Sequence, residues 1–291
     1  MGGIRSIAVL FHERDRHALT AWYRVWAMAP HWRERGITVE PVWGIGRSIE
    51  ADLLIPHVDL SYIPDDYWAV IQKHPNVVNR HVRDIRKTVI SENLVRRGDA
   101  WTGSVIVKTN NNGRGWMEHV LLGRASPKTG PIAWLQQLAS SAWIERKRLG
   151  RIRYPARYYI FDRAADVPNG VWSNPALVVE RFLPEREGEK YVMHTYSFFG
   201  DREQGRTFRG DDPWVKALNS AMGEPTRPPE AIVAARHRLK LDFAKIDYVL
   251  HEGAAVLLDV NRTPGMGGPI DARRIERSAE LARGLDYFQR V

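Results

Sequence analysis

The stretch that most constrains this chain lies near residue 250, where AKIDYVL (244–250) and AAVLLDVN (254–261) are joined by HEG. Both stretches are rich in β-branched and aromatic residues, and Gly253 lies between them, which is the signature of a β-hairpin. A three-residue loop centred on Gly253 makes the cross-strand partners symmetric about that glycine, so that Asp247 faces Asp259. Alternation then puts Asp247, Val249, Leu257, Asp259 and Asn261 on one face. Ile246, Tyr248, Leu250, Val256, Leu258 and Val260 form the other, core-packing face. A two-residue loop would spoil this register.

Two like charges directly opposed in a sheet repel, and a divalent cation between them reverses the sign. Two carboxylates and an amide oxygen are hard donors of the kind that suit Mg2+, which completes its shell with water and phosphate oxygens. The hairpin therefore predicts a platform for Mg2+ and a phosphorylated ligand. The competing reading is a solvated polar face on a half-exposed hairpin.

The 291 residues, 44% of them hydrophobic, suffice for one large domain or two to three small ones. No stretch approaches the roughly 20 apolar residues that cross a bilayer. MGGIRS fits the loose N-myristoylation pattern, but IRSIAVLFH reads as a buried first strand. There are no cysteines, which excludes disulfides and thiolate metal sites and makes a reducing cytoplasm the default. The net charge of +9 favours anionic partners. No long basic run or nucleic-acid-reading motif accompanies it, so specific nucleic-acid binding is not expected.

Strands are expected at 6–11, 37–45, 51–60 and 76–80, with helices over 19–36 and 64–75, which Gly36 and Pro30 punctuate. That order argues for a small α/β domain with a mainly parallel sheet. There is no G-x-G-x-x-G. Beyond residue 81 the texture changes to a helix-like segment at 84–98, a strand into a polar loop at 104–118, and loop and helix over 125–150. Strands follow at 156–162, 176–185 and 191–201, then an amphipathic helix at 228–243 leading into the hairpin.

VIVKTNNNGRG sets Lys108 at a strand end before a loop in which Asn111, Asn112, Gly113 and Gly115 can bring backbone N–H groups to phosphate oxygens. It is not a Walker A loop, and taken alone it also fits an ordinary turn beside a surface lysine. In VVERFLPE, Glu180 and the backbone of Phe182 could hold an adenine edge, or form an ordinary half-buried strand.

Taken in order, Lys87, Lys108 with its loop, Glu180, and the Asp247–Asp259–Asn261 platform followed by TPG resemble the ATP-grasp superfamily of ATP-dependent carboxylate–amine ligases. The segment DYVL…LLDVNRTPG is similar to the metal-binding hairpin of D-alanine–D-alanine ligases and ribosomal-protein glutamate ligases. The resemblance covers roughly residues 80–270. It implies an α/β (α+β) ATP-grasp fold, with a preceding α/β domain at 1–80, a small nucleotide-binding subdomain at 81–185 and a metal-binding subdomain at 186–291. It further implies that Lys87, Lys108 and residues Asn111, Asn112, Gly113 and Gly115 contact ATP phosphates, and that Glu180 with Phe182 binds adenine. Glu189, preferred over Glu187, would hold the ribose, while Asp247, Asp259 and Asn261 bind Mg2+, with Mn2+ as a substitute. Lys245, Arg262 and Arg209 are the candidate catalytic cations, with Lys216 a further charge. The sequence departs from the family pattern at Asp259, where Glu is usual, at Lys245, where some ligases carry Arg, and at His194, where Arg is expected. The implied partners are ATP and a small-molecule or peptide substrate, with no membrane and room for a homodimer. Rival readings are an ATP-grasp kinase and a non-catalytic nucleotide-binding module.

Overall fold

The computed structural model describes residues 3–19, 22–123, 146–152, 155, 157–213, 215 and 223–289. The expected loop and helix across 125–145, and Lys216, lie outside the described residues. The architecture is mixed α/β. Contacts divide the chain into two units, residues 1–84 with 184–291, and residues 85–183.

In the first unit, β1 (Ser6–Phe11), β2 (Thr38–Trp43) and β3 (Leu53–Pro56) form a parallel sheet in the order β2-β1-β3. β1 coincides with the apolar run SIAVLF, five of whose six residues are buried. Helix α1 (Arg24–Glu34) connects β1 to β2 and runs on past Pro30, with Gly36 at φ 77° closing its end. Helix α2 (Asp65–Lys73) follows β3. The expected fourth strand at 76–80 is reduced to one parallel bridge, Leu54 to Val77. Asn79 ends it, because this residue adopts φ 58° and turns its carboxamide to Asp242 and Phe243.

The same unit carries an antiparallel sheet in the order β10-β9-β8-β11-β12, with β7 (Glu185–Glu187) also on β8. Its strands are β8 (Lys190–Phe199), β9 (Arg202–Gly210), β10 (Glu224–Thr226), β11 (Phe243–His251) and β12 (Ala254–Asn261). The core joins Val9, Phe11, Met28 and Trp32 to Phe199, Phe243, Leu281 and Phe288. Trp32 is fully buried, and its indole N–H donates to the Ala282 carbonyl at 2.8 Å, so its polar edge is satisfied. A C-terminal helix, Ala272–Ala282, packs beside α1, and no sequence signal had singled it out.

The second unit is built on an antiparallel sheet in the order β5-β4-β6, comprising β4 (Val105–Thr109), β5 (Tyr159–Phe161) and β6 (Leu177–Arg181). Its core holds Val105, Val107, Tyr159, Phe161, Leu177 and Val179. The helix expected over 84–98 is a single turn, α3 (Lys87–Ile90). Beyond it the chain is drawn out along β6, where Val95 N–H donates to Val179 and Arg181 N–H to Asn93. Among the described residues, no helix is long and apolar enough to cross a membrane.

Candidate active site

The hairpin forms, but its loop differs from the expected one. Two residues, Glu252 at φ 50° and Gly253 at φ 79°, make the turn, and His251 pairs with Ala254. Positive φ at both central positions matches the strand twist. This loop alone would set Asp247 opposite Leu258. A register shift between Asp247 and Tyr248 corrects it, since Tyr248 pairs with Leu257 and Asp247 with Asp259. Leu258 is the extra residue of a β-bulge, which bends a strand and re-aims side chains. The expected acid pair is therefore present by a different route. Leu257, expected on the acid face, instead pairs with Tyr248 and is buried.

Cross-strand pairing extends the acid face over two further strands. Asp247 is opposite Thr195 on β8, and Thr195 is opposite Arg206 on β9. One row across the sheet thus reads Asp259, Asp247, Thr195, Arg206, with about 10 Å between the Asp247 and Arg206 backbones at two strand spacings. Beside it runs Asn261, Lys245, Ser197, Gln204. Lys245 Nζ lies 2.8 Å from Asp247 Oδ2. Asn261 Oδ1 accepts from the Thr263 N–H at 2.9 Å and hydroxyl at 3.1 Å. Among the described residues no three His, Asp or Glu side chains gather as a metal cluster. The hard-donor set is therefore the two carboxylates with the amide beside them, a set that suits Mg2+. Sequence reasoning missed Arg206, whose position is visible only once β9 is paired.

In the other unit, Lys87, Lys108 and Glu180 come together. Lys108 and Glu180 share a face of the β4–β6 ladder, and Lys108 Nζ sits 2.7 Å from Glu180 Oε2. Glu180 is 1% exposed. Burial pushes its carboxyl up, but the Lys108 and Lys87 charges outweigh that, and the net shift is below the usual glutamate range. Lys87 is buried at the start of α3, with its ammonium 3.5 Å from Asn112 Oδ1. The loop itself is unusual. Gly113, Arg114 and Gly115 all adopt left-handed φ, at 53°, 62° and 71°. A non-glycine residue there costs on the order of 1–2 kcal/mol. The Asn111 carbonyl accepts from the Thr109 hydroxyl at 2.8 Å, which fixes the start of the loop.

Four expected residues stand apart. The Phe182 N–H, expected to meet adenine, donates to Ser104 at 2.9 Å. Glu189 lies exposed in the turn between β7 and β8. Arg209 pairs across from Val192, on the face opposite Asp247, and is bound to Glu187 and Glu224. Arg262, 1% exposed, donates to the carbonyls of Leu60, Val82 and Arg83, and so clamps backbone within its own unit. His194 also faces away from the acids, stacked on Tyr248 and within 3.0 Å of Glu185.

No protein-family model and no curated protein matches the sequence. Solved structures similar to the chain are of the ATP-grasp kind. One is the RimK domain protein ATP-grasp from Sphaerobacter thermophilus, with TM-score 0.49 and 12% identity, covering 98% of this chain and 100% of that one. Another is D-alanine–D-alanine ligase from Bacillus anthracis, with TM-score 0.46 and 10% identity, covering 97% of this chain and 95% of that one.

Proposed function

We propose that this chain is an ATP- and Mg2+-dependent ligase that joins a carboxylate to an amine through an acylphosphate, releasing ADP and phosphate. The observation that carries the reading is the opposed Asp247–Asp259 pair, kept in register by a bulge, with Lys245 Nζ 2.8 Å from Asp247. The bulge sets two like charges opposite one another, an arrangement that is unfavourable without a cation between them. Asp247 and Asp259 would hold the metal, with Asn261 the weaker donor because Thr263 already engages its oxygen. Mg2+, when bound, offsets phosphate charge as a substrate carboxylate attacks the γ-phosphorus of ATP.

The chain's own residues supply charge and position. Lys87 and Lys108 contact phosphate oxygens, and Glu180 holds the Lys108 ammonium in place at 2.7 Å rather than meeting the nucleobase. The amides of residues 111–115 cover the phosphates. Lys245 steers the reacting carboxylate along the acid face.

The test follows phosphorus by NMR with ATP, Mg2+ and pooled carboxylates and amines. ADP and free phosphate arising only with both pools present would support the ligase. Phosphate retained on an organic acceptor would favour the kinase. Asp259→Asn should lower turnover on the order of 100-fold, and an unchanged rate would overturn the assignment of the acid pair.

A further inference from the structure

The acid row ends at Arg206, and two more arginines stand close to it. Arg24 opens α1, and Arg277 lies on the C-terminal helix that packs against β9, where Gln204 Nε2 donates to the Arg277 carbonyl at 2.9 Å. The start of α1 is fixed to the chain leaving β12. Tyr23 bridges Gly265, Arg24 N–H donates to Pro264 at 2.8 Å, and Met266 N–H donates to Trp22 at 2.6 Å. Arg24 is therefore held beside the exit of the strand that carries Asp259 and Asn261.

The Arg24 and Arg206 guanidinium groups are close and poorly compensated. Burial and the neighbouring Arg206 charge bring Arg24 down to about 10, and burial with the Arg277 charge lowers Arg206. Arg24 Nε is buried and has no hydrogen-bond partner among the described residues. No carboxylate within ion-pair distance of Arg24 or Arg206 occurs among the described residues. Among the described residues, the one side-chain bond of Arg206 goes to the neutral Gly223 carbonyl, at 2.9 Å. Like charges held together in a partly buried place destabilise a fold unless an anion joins them. Protein carboxylates are plentiful on this chain, and Arg209, three residues away on the other face, holds two of them.

We infer that Arg24 and Arg206, with Arg277 behind them, form a binding site for an anionic group, a carboxylate or a phosphate, carried by the substrate. This deepens the ligase reading, on which the word substrate rests. The anion would sit about 10 Å along the row from Asp247. The substrate therefore carries a second anionic group separated from the carboxylate that is activated. Planar guanidinium forks recognise either oxyanion in the same way, so the chemical class is shared.

The experiment titrates the full chain at constant ionic strength with succinate in one arm and inorganic phosphate in the other. Wild type is compared with Arg206→Gln, Arg24→Gln and Asp259→Asn. Saturable binding of either probe should weaken at least 10-fold in both arginine variants and persist in Asp259→Asn. The stronger arm identifies the anion. Thermal melts without added anion give an independent readout. Removing a charge from an unfilled anion site should raise Tm by about 1–3 °C, whereas a structural arginine would lower it. Equal binding in wild type and Arg206→Gln, or a lowered Tm in both arginine variants, would overturn the inference. Loss of Mg2+–ATP binding in every protein, with arginine-dependent anion binding intact, would overturn the ligase reading alone.

Discussion

Replacing Glu180 with Gln isolates the electrostatics of the nucleotide-side cluster. The carboxylate is 1% exposed and holds Lys108 at 2.7 Å, with Lys87, also 1% exposed, contributing a second positive charge. Glu180→Gln removes the carboxylate that is paired with Lys108. Breaking a buried pair from one side typically costs about 3–5 kcal/mol, because the remaining charge is left uncompensated. The Lys108 ammonium, its side chain 11% exposed, is then left without its carboxylate, which puts the expectation within that range. Lys108→Met should cost less, since Lys87 still balances Glu180. Replacing both Lys108 and Glu180 by Met should recover part of the loss. Urea unfolding at pH 7 measures all three. The pH dependence has a definite sign. The Glu180 carboxyl is depressed from 4.5, so its contribution is complete above that value and fades as pH falls through the lower folded-state value. Wild type should therefore lose more stability than Glu180→Gln in acid. A Glu180→Gln cost below about 1 kcal/mol, the scale of an exposed pair, would refute the reasoning.

Other expectations follow from single residues. His57 is fully buried, neither ring nitrogen has a hydrogen-bond partner among the described residues, and burial takes its imidazole down to about 3. The unfolded chain binds that proton first, so His57 should subtract about 1.4 kcal/mol of stability per pH unit below about 6.5. His57→Phe should flatten that slope in chemical unfolding, and an unchanged slope would contradict it. Glu252 occupies a left-handed turn position at φ 50°. Glu252→Asn should stabilise by about 0.5–1 kcal/mol, read as a higher Tm. Arg262→Met should cost about 3 kcal/mol, because three carbonyls lose their donor. If Arg262 acts in catalysis instead, turnover will collapse while the melt barely moves.

The parts of the fold that were legible are those where composition and periodicity agree. SIAVLF has few alternatives to a buried strand, and its observed bounds match. The hairpin was legible from its apolar runs, but the bulge was not. Leu257 and Leu258 are chemically identical, so nothing in the sequence says which of them pairs. β9 reads REQGRTFRG, which lacks an apolar alternation, and its strand character comes from β8 beside it. For the same reason Arg206 was overlooked, while Arg209, three residues on, was chosen. The extended segment after α3 was misread because its partner, β6, lies some 85 residues later, as the Leu94–Glu180 bridge shows. Charge type was easier to read than charge role. Arg262 looks like a catalytic cation in NRTPG, and only its carbonyl partners reveal a clamp.

The division of the chain also has a consequence for synthesis. Residues 85–183 interrupt the other unit, whose two segments share one core. Val9 and Trp32 emerge from the ribosome long before Phe243, Leu281 and Phe288, the apolar surfaces they need. The early segment must therefore wait, with its greasy side uncovered, while the whole insert is made. The insert is sequence-continuous and can close its own sheet in the meantime. Contacts spanning such separations slow folding and leave sticky intermediates. Nascent-chain chaperones should accordingly engage residues 1–84 most strongly and let go only once residues 184–291 have emerged.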